Sequence, residues 1–474
     1  MKVDEHEIVK KLLIEAIGEN KVLHNKTDLQ AYGVEIYTRL MDENEKDRYF
    51  PDFAVLPETT TDVQKIVTIA AEHGIPLIPK GGGSNLVGML TPIKGGIILD
   101  TIKMNKIIEI DVPNLSVTVQ PGITLKELDV ELSKHGLLLN QLQGSYKVAT
   151  VGGSISTSGF SRKHNKYGTI ADRIMSLEVV LGNGEILRTG PKVLYTSTGY
   201  RLHQLFIGAE GTLGVITEAT LRVEPRPESS AAIMAFYDDF AKAFDVALQI
   251  KTSGIACVGL EANEIPESWE YEAPDGKRGV VIADFEGTKG EVEVEIEFVK
   301  RLISKSGGVL SDSGDAESYA TGYDMMWCGA SATRKKEERG DPLCAFIPTQ
   351  RVMEFFDEVW NRIMPKYGIT SFPSTEKCSL DVGRYEMTYG IIRILDSPHW
   401  HDAYMGALRE VAELSAALGG SMEACHGVGL KYKGFMRFEY SEAALDIMRE
   451  IKKIFDPKDI MNPMKKLPDG APDH

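Results

Sequence analysis

Cysteine is scarce in this chain. Its five cysteines, Cys257, Cys328, Cys344, Cys378 and Cys425, are odd in number and nowhere spaced as Cys-x-x-Cys. That excludes the usual zinc-ribbon and iron–sulfur frameworks and suits reduced thiols, so redox chemistry would have to rest on an organic cofactor. Long apolar runs are missing as well, and the opening residues Met1-Lys2-Val3-Asp4-Glu5-His6-Glu7 are charged where a signal peptide needs an apolar core. No transmembrane segment is expected, and a cytoplasmic location is the default. Positive charge is short too: 53 Lys and Arg stand against 69 Asp and Glu, a formal net charge of -16. Such a field repels nucleic acid and anionic membrane surfaces as main partners. Neither a Gly-x-Gly-x-x-Gly dinucleotide fingerprint nor a Walker Gly-Lys-Ser/Thr is present. With 474 residues the chain exceeds what one core serves, so two or three domains are expected.

Glycine, by contrast, is plentiful at 45 residues and gathers at three places beside β-like stretches. The first, Pro79-Lys80-Gly81-Gly82-Gly83-Ser84-Asn85-Leu86-Val87-Gly88, follows the apolar strand Ile75-Pro76-Leu77-Ile78. Successive glycines can take φ > 0 and turn several N–H groups toward one point, which suits a pyrophosphate. An isolated triple glycine is otherwise simply a loop. The second cluster, Thr150 to Gly159, is nearly all small and hydroxylic, so it cannot fill a core. A loop is expected there, either at the surface or against a large ligand. The third, Gly208-Ala209-Glu210-Gly211-Thr212-Leu213-Gly214, runs into the strand Val215 to Leu221.

Around these clusters the pattern is first α/β and then hairpin-rich. Phe53 to Pro57 reads as a strand, and Thr61 caps a helix carrying Val63, Ile66, Val67 and Ala70 that Gly74 ends. Ile107 to Ile110 and Ser116 to Val119 make a hairpin, Thr124 opens an amphipathic helix, and Asn183-Gly184 turns a second hairpin. Composition shifts at Glu224-Pro225-Arg226-Pro227. Beyond it, helical stretches (Phe240 to Ile250, Glu291 to Ser306, Val352 to Met364, Tyr404 to Ala417) alternate with short strands. That rhythm predicts an antiparallel sheet covered by helices on one face, in an α+β protein. The expected divisions are 1–225, 226–440 and a C-terminal segment 441–474 that returns to the first domain.

The three glycine clusters in this order, with the closing Ile454-Phe455-Asp456-Pro457-Lys458-Asp459-Ile460-Met461-Asn462-Pro463, resemble the flavoprotein family named for vanillyl-alcohol oxidase and p-cresol methylhydroxylase. The resemblance implies a two-subdomain FAD-binding domain of the p-cresol methylhydroxylase (PCMH) type, followed by a cap domain. It implies pyrophosphate contacts from the amides of Gly81, Gly82, Gly83, Ser84 and Asn85. Thr150, Gly152, Gly153, Ser156, Thr157 and Ile216 would border the rest of the cofactor, and Glu210, Gly211, Gly214 and Asn462 would complete the cradle. The first loop lacks the histidine that some relatives bond to the flavin, so non-covalent FAD is expected.

The second half resembles the D-2-hydroxy acid branch of that family, which includes the glycolate oxidase large subunit and D-lactate dehydrogenase. The likeness is carried by Gly420-Ser421-Met422-Glu423-Ala424-Cys425-His426-Gly427-Val428-Gly429 and puts His426 at the catalytic histidine. Oxidising a 2-hydroxy acid needs a base for the hydroxyl proton while the α-hydrogen leaves as hydride to flavin N5, and imidazole suits that transfer near neutral pH. A histidine beside glycines is otherwise an ordinary loop residue. Arg384 is the candidate to hold the substrate carboxylate through two parallel hydrogen bonds, a surface ion pair being the everyday alternative for an arginine. Cys425 stands where the branch has a metal-binding Glu, and Asp381 to Thr388 lacks both histidines of its paired-histidine motif. No metal site is therefore expected, with a displaced one through Glu423 the remaining alternative.

The implied activity is FAD-dependent oxidation of a small D-2-hydroxy acid, of lactate, glycolate or 2-hydroxyglutarate type, to the 2-oxo acid. Electrons would pass to an external acceptor, an electron-transfer protein subunit among the candidates, and a homodimer stays open. Two alternatives stand beside it: a non-redox flavoenzyme like alkylglycerone-phosphate synthase, which also carries His-Gly-Val-Gly, and a flavin electron-transfer subunit with a degenerate pocket.

Overall fold

The computed structural model describes residues 3–33, 35, 37, 40–41, 49–266, 271, 273–312, 314–320, 338–371, 378–382, 387–395 and 397–469. Three large sheets organise them, beside a two-stranded ladder of Leu137–Leu138 and Glu224–Pro225. The first has four strands in the order Val22–Leu23, Phe53–Val55, Ile97–Asp100 and Leu77–Lys80, and the last three run parallel. Parallel strands need a crossover, and the helix Thr60–His73 supplies one by packing Val63, Ile66, Val67 and Ala70 into the core against Phe53, Val55 and Leu99. Its cap is Thr59 rather than Thr61: Thr59 Oγ1 accepts from the Asp62 amide at 3.1 Å. Asp62 then sits in the third helical position, where its carboxylate reaches back to the Glu58 amide at 3.0 Å.

The second sheet is antiparallel, in the order Ile107–Asp111, Ser116–Val119, Gly214–Arg222, Ile174–Leu181, Ile186–Arg188. Against it lies a short helix, Val151–Thr157, where the sequence predicts a loop. Thr150 caps it, accepting from the Gly153 amide at 3.2 Å. Small residues serve close approach here: a Cβ on Gly152 would stand 2.5 Å from the Pro121 Cβ.

The third sheet is antiparallel and follows the order Val309–Leu310, Ser229–Tyr237, Gly279–Gly287, Leu260–Glu264, Ser379–Asp381, Met387–Leu395, Glu338–Phe346, with Thr370–Ser371 also paired to Met387–Leu395. Side chains alternate between the two faces of a strand. Ile233, Ala235, Val281, Ala283, Leu343, Ala345, Ile392 and Ile394 share one core with the helices Phe240–Thr252, Lys289–Lys305 and Trp400–Ala417. Each valine, leucine and isoleucine among them contributes about 1.5–3 kcal/mol by leaving water. Met387, Tyr389, Ile391, Gly340 and Pro342 take the other parity and line the cavity beside the first two sheets. The strand Glu338–Phe346 is not legible in the sequence, because Gly340, Asp341 and Pro342 all argue against β structure. Its place at the edge of the sheet makes the proline tolerable.

Two joints fix how the halves meet. After the helix Glu442–Phe455 the chain returns to the first sheet: the Leu77 amide donates to Ile460 O and the Asn462 amide to Leu77 O, both at 2.8 Å. Elsewhere Arg162, 2% exposed, bonds Glu261 Oε1 through Nε at 2.7 Å and Asp284 through Nη1. Lys163 and Tyr167 both reach Glu286, at 2.5 and 3.1 Å. A buried charge stripped of its partner costs several kcal/mol, so these pairs tie the segment to one seat on the third sheet. Among the described residues no helix is long and apolar enough to cross a membrane.

Candidate active site

The three sheets enclose a cavity of about 540 Å³, within the range that ligand sites occupy. Every residue the resemblance assigns to FAD lines it. Among the described residues, the amides of Gly81 to Asn85 donate to no oxygen of the chain. The loop also presses on its neighbours: a Cβ on Gly82 would lie 2.0 Å from Val148 O. Open amides on a loop that admits no side chain fit a diphosphate, which wants several N–H donors at close range. The FAD cradle is therefore consistent with the residues present. Asn85 shapes the loop through its side chain. Its Oδ1 accepts from Val87 and Met89 at 3.3 and 3.1 Å, and its Nδ2 donates to Glu35 at 2.7 Å. Asn462 Nδ2 bridges Met89 O at 3.1 Å and Glu210 O at 2.8 Å, stapling the C-terminal segment to two of the loops.

His426 reaches this cavity from the loop that follows Trp400–Ala417, and two buried carboxylates hold that loop. Glu423 Oε1 accepts the amides of Cys425 and His426 at 2.9 and 2.8 Å and lies 3.2 Å from His426 Nδ1. Glu210, from the third glycine cluster, accepts Val428 N and Gly429 N at 2.8 Å each and pairs with Lys466 at 3.2 Å. It lines the cavity, yet both its oxygens anchor the His-Gly-Val-Gly backbone. With Nδ1 facing a carboxylate, Nε2 is the nitrogen left for a substrate. Lys431, which the sequence does not distinguish from a solvated lysine, is 2% exposed and paired with Asp341, which also accepts the Tyr404 hydroxyl at 3.0 Å.

Cys425 Sγ stands 3.6 Å from both ring nitrogens of His426. Cys344 joins them: its sulfur, the Cys425 sulfur and a His426 nitrogen all lie within 4.8 Å of one another. Sequence reasoning missed Cys344; its only signal is that it shares the parity of Gly340 and Pro342 on a strand the sequence hides. A hydrogen bond from Cys344 and the facing imidazolium lower the Cys425 thiol to about 6 against the effect of burial, while burial first of all pushes Cys344 well up. Burial alone would lower His426, but the Cys425 thiolate and the Glu423 carboxylate outweigh it and raise the imidazole well above its ordinary value.

Arg384 lies outside the described residues. Of its flanking segment, Asp381 is described: it is buried, with Oδ1 3.7 Å from His164 Nε2, and burial raises its carboxyl well above the usual range. Glu423, the candidate for a displaced metal site, is engaged in holding the histidine loop.

Residues 51–190 match the family model described as FAD binding domain, and residues 389–466 the one described as FAD linked oxidases, C-terminal domain. The chain is 30% identical over 428 residues to glycolate oxidase subunit GlcD of Bacillus subtilis, covering 89% of this chain and 90% of that one. It is 28% identical to a D-lactate dehydrogenase of Archaeoglobus fulgidus, covering 87% and 90%. Among solved structures, an alkyldihydroxyacetonephosphate synthase superposes with a TM-score of 0.80 at 20% identity, over 97% of this chain and 86% of that one. p-Cresol methylhydroxylase with substrate bound gives 0.80 at 18% identity, over 98% and 97%. Those two likenesses speak for the fold. Cradle, closing motif and relatives agree, and the chain belongs to the FAD-linked oxidase family with the PCMH-type FAD-binding fold, an oxidoreductase that uses FAD.

Proposed function

We propose that this enzyme oxidises a small D-2-hydroxy acid to the 2-oxo acid and hands the electrons to an external acceptor. The observation that carries the reading is His426, fixed by Glu423 at Nδ1 and lining the same cavity as the FAD cradle. FAD, when bound, supplies the acceptor for two electrons and the α-hydrogen. The protein supplies the proton acceptor. Cys425 and His426 together hold one proton, as thiolate and imidazolium, and taking up a second is what base catalysis asks of the pair. Met387, Tyr389, Ile391 and Pro342 form a mostly apolar wall that excludes water and leaves room for the substrate's side chain. The names of the relatives, a glycolate oxidase subunit and a D-lactate dehydrogenase, support this substrate class, and the word subunit supports a partner protein as acceptor.

The FAD-loaded protein mixed anaerobically with D-lactate, glycolate or D-2-hydroxyglutarate should lose its visible flavin band with at least one of them. Inertness toward all hydroxy acids, or turnover of an acyl-glycerone phosphate without net bleaching, rejects the reading. The second outcome would favour the synthase alternative, whose fold this chain shares. Acid sensitivity follows from the proton acceptor. The active pair is the deprotonated form, so activity is lost as pH falls through the Cys425 value of about 6. Stopped-flow bleaching rates should drop roughly tenfold per pH unit below that point, whereas a flat profile between about pH 5 and 8 would remove the pair from the mechanism.

A further inference from the structure

We propose that Cys344 and Cys425 form an oxidisable dithiol in the cavity wall, closing to a disulfide when a small hydroperoxide enters. The two sulfurs come from distant parts of the chain, the edge strand Glu338–Phe346 and the histidine loop, and lie within 4.8 Å of each other. Cys425 lines the cavity, so a small oxidant reaches it without unfolding; Cys344 is fully buried behind it. Cys257, by contrast, lies in the core of the third sheet, where burial pushes its thiol up to about 12.

The same three side chains also meet the distance requirement of a metal cluster, but the ring geometry speaks against that use. A point 3.6 Å from both imidazole nitrogens lies on the plane that bisects them, at least a right angle away from either lone pair. A zinc ion placed about 2.0 Å out along a lone pair would stand roughly 4 Å from the Cys425 sulfur, against about 2.3 Å for a Zn–S bond. The sulfur lies against the ring, where a nearby imidazolium favours the thiolate, the arrangement that makes a cysteine nucleophilic.

The chemistry balances. The Cys425 thiolate attacks the terminal peroxide oxygen, the O–O bond breaks, and the departing alkoxide, or hydroxide when the oxidant is hydrogen peroxide, takes a proton from His426 to leave as an alcohol or as water, with Cys425 now a sulfenic acid. The Cys344 sulfur attacks that sulfur, the S–S bond forms, the S–O bond breaks, and the hydroxide leaves as water with the Cys344 proton. Two thiols give up two electrons, and the hydroperoxide accepts them. Cys344 is held in register opposite Tyr389 by the sheet, so closing the gap to about 2.05 Å is done by the Cys425 loop. That movement draws the sulfur away from His426 and removes its negative charge, which disables the proton acceptor.

The test is a peptide map of the FAD-loaded chain titrated with hydrogen peroxide, alkylated with iodoacetamide and cut with trypsin. The expected product links residues 340–351 to residues 410–431, loses the mass of two hydrogens, and reverts with a phosphine, while Cys257 and Cys378 remain alkylated. Cys344→Ser cannot close the bridge and should instead leave a dimedone-reactive sulfenic acid on Cys425. Three results overturn the proposal: Cys425 driven to sulfinic acid in the native chain while Cys344 stays alkylatable; Cys425 untouched by a large peroxide excess; or one zinc per chain shielding both thiols. If the serine variant does not fold, the native peptide map decides alone.

Discussion

His426→Ala is expected to slow flavin bleaching by a hydroxy acid about 10²–10⁴-fold, the usual worth of positioned acid–base catalysis, while FAD remains bound. The two effects separate because the histidine and the cradle have different supports. His426 is held by Glu423 and abuts Cys425, both in its own loop, whereas the cradle rests on the glycine loop, the helix Val151–Thr157 and Asn462. Truncating the imidazole leaves every bond that Glu210 makes to Val428 and Gly429 in place. Single-turnover reduction measured beside the protein's flavin absorbance reads both quantities at once. Unchanged reduction kinetics would exclude His426 from the proton-accepting pair, and loss of FAD from the variant would make it a structural residue instead.

Gly82→Ala should weaken FAD binding by more than tenfold, a loss of at least about 1.4 kcal/mol. The added methyl would lie 2.0 Å from Val148 O and 2.9 Å from its carbonyl carbon, and since these are backbone atoms no side-chain rotation relieves the clash. The loop must back away from Val148 and carry its row of amides with it, so the diphosphate loses several short donors together. Gly290→Ala is the control: a Cβ there meets nothing within 4 Å, and its helix Lys289–Lys305 lies outside the cradle. Fluorescence titration of the apoprotein with FAD measures both variants. Equal affinities would mean that the loop shifts freely and that the close approach is incidental.

Residues whose roles come from local backbone demands could be read in advance. Gly74 ends its helix at φ 62, Thr124 makes its capping box with Glu127, and Gly83 takes φ 73 in the first loop, each a property of a few neighbouring residues. Where neighbouring residues leave two outcomes open, the packing chose. Thr150 to Gly159 reads as a loop because small polar residues rarely sustain a helix, yet it coils against Pro121, where only small residues fit. Thr59 and Thr61 are equally good caps by type, and Asp62 decides between them by its spacing. The strand containing Pro342 is hidden because its β character derives from pairing with Met387–Leu395, not from its own residues.

Legible in the sequence were the α+β class, from glycine runs, caps and turn dipeptides whose conformational purpose is local, and FAD as the cofactor, from motifs that resemble one flavoprotein family; the proposal for His426 rests on the same kind of resemblance. Only the tertiary structure decided what surrounds that histidine. It showed that Glu210, which lines the cavity, also anchors the His-Gly-Val-Gly loop, buried Lys431 against Asp341, and set Cys344 beside Cys425. The physical reason is that a carboxylate, an ammonium or a thiol takes its charge and reactivity from whatever lies within a few ångströms. Those neighbours come from strands and loops that the chain brings together only on folding.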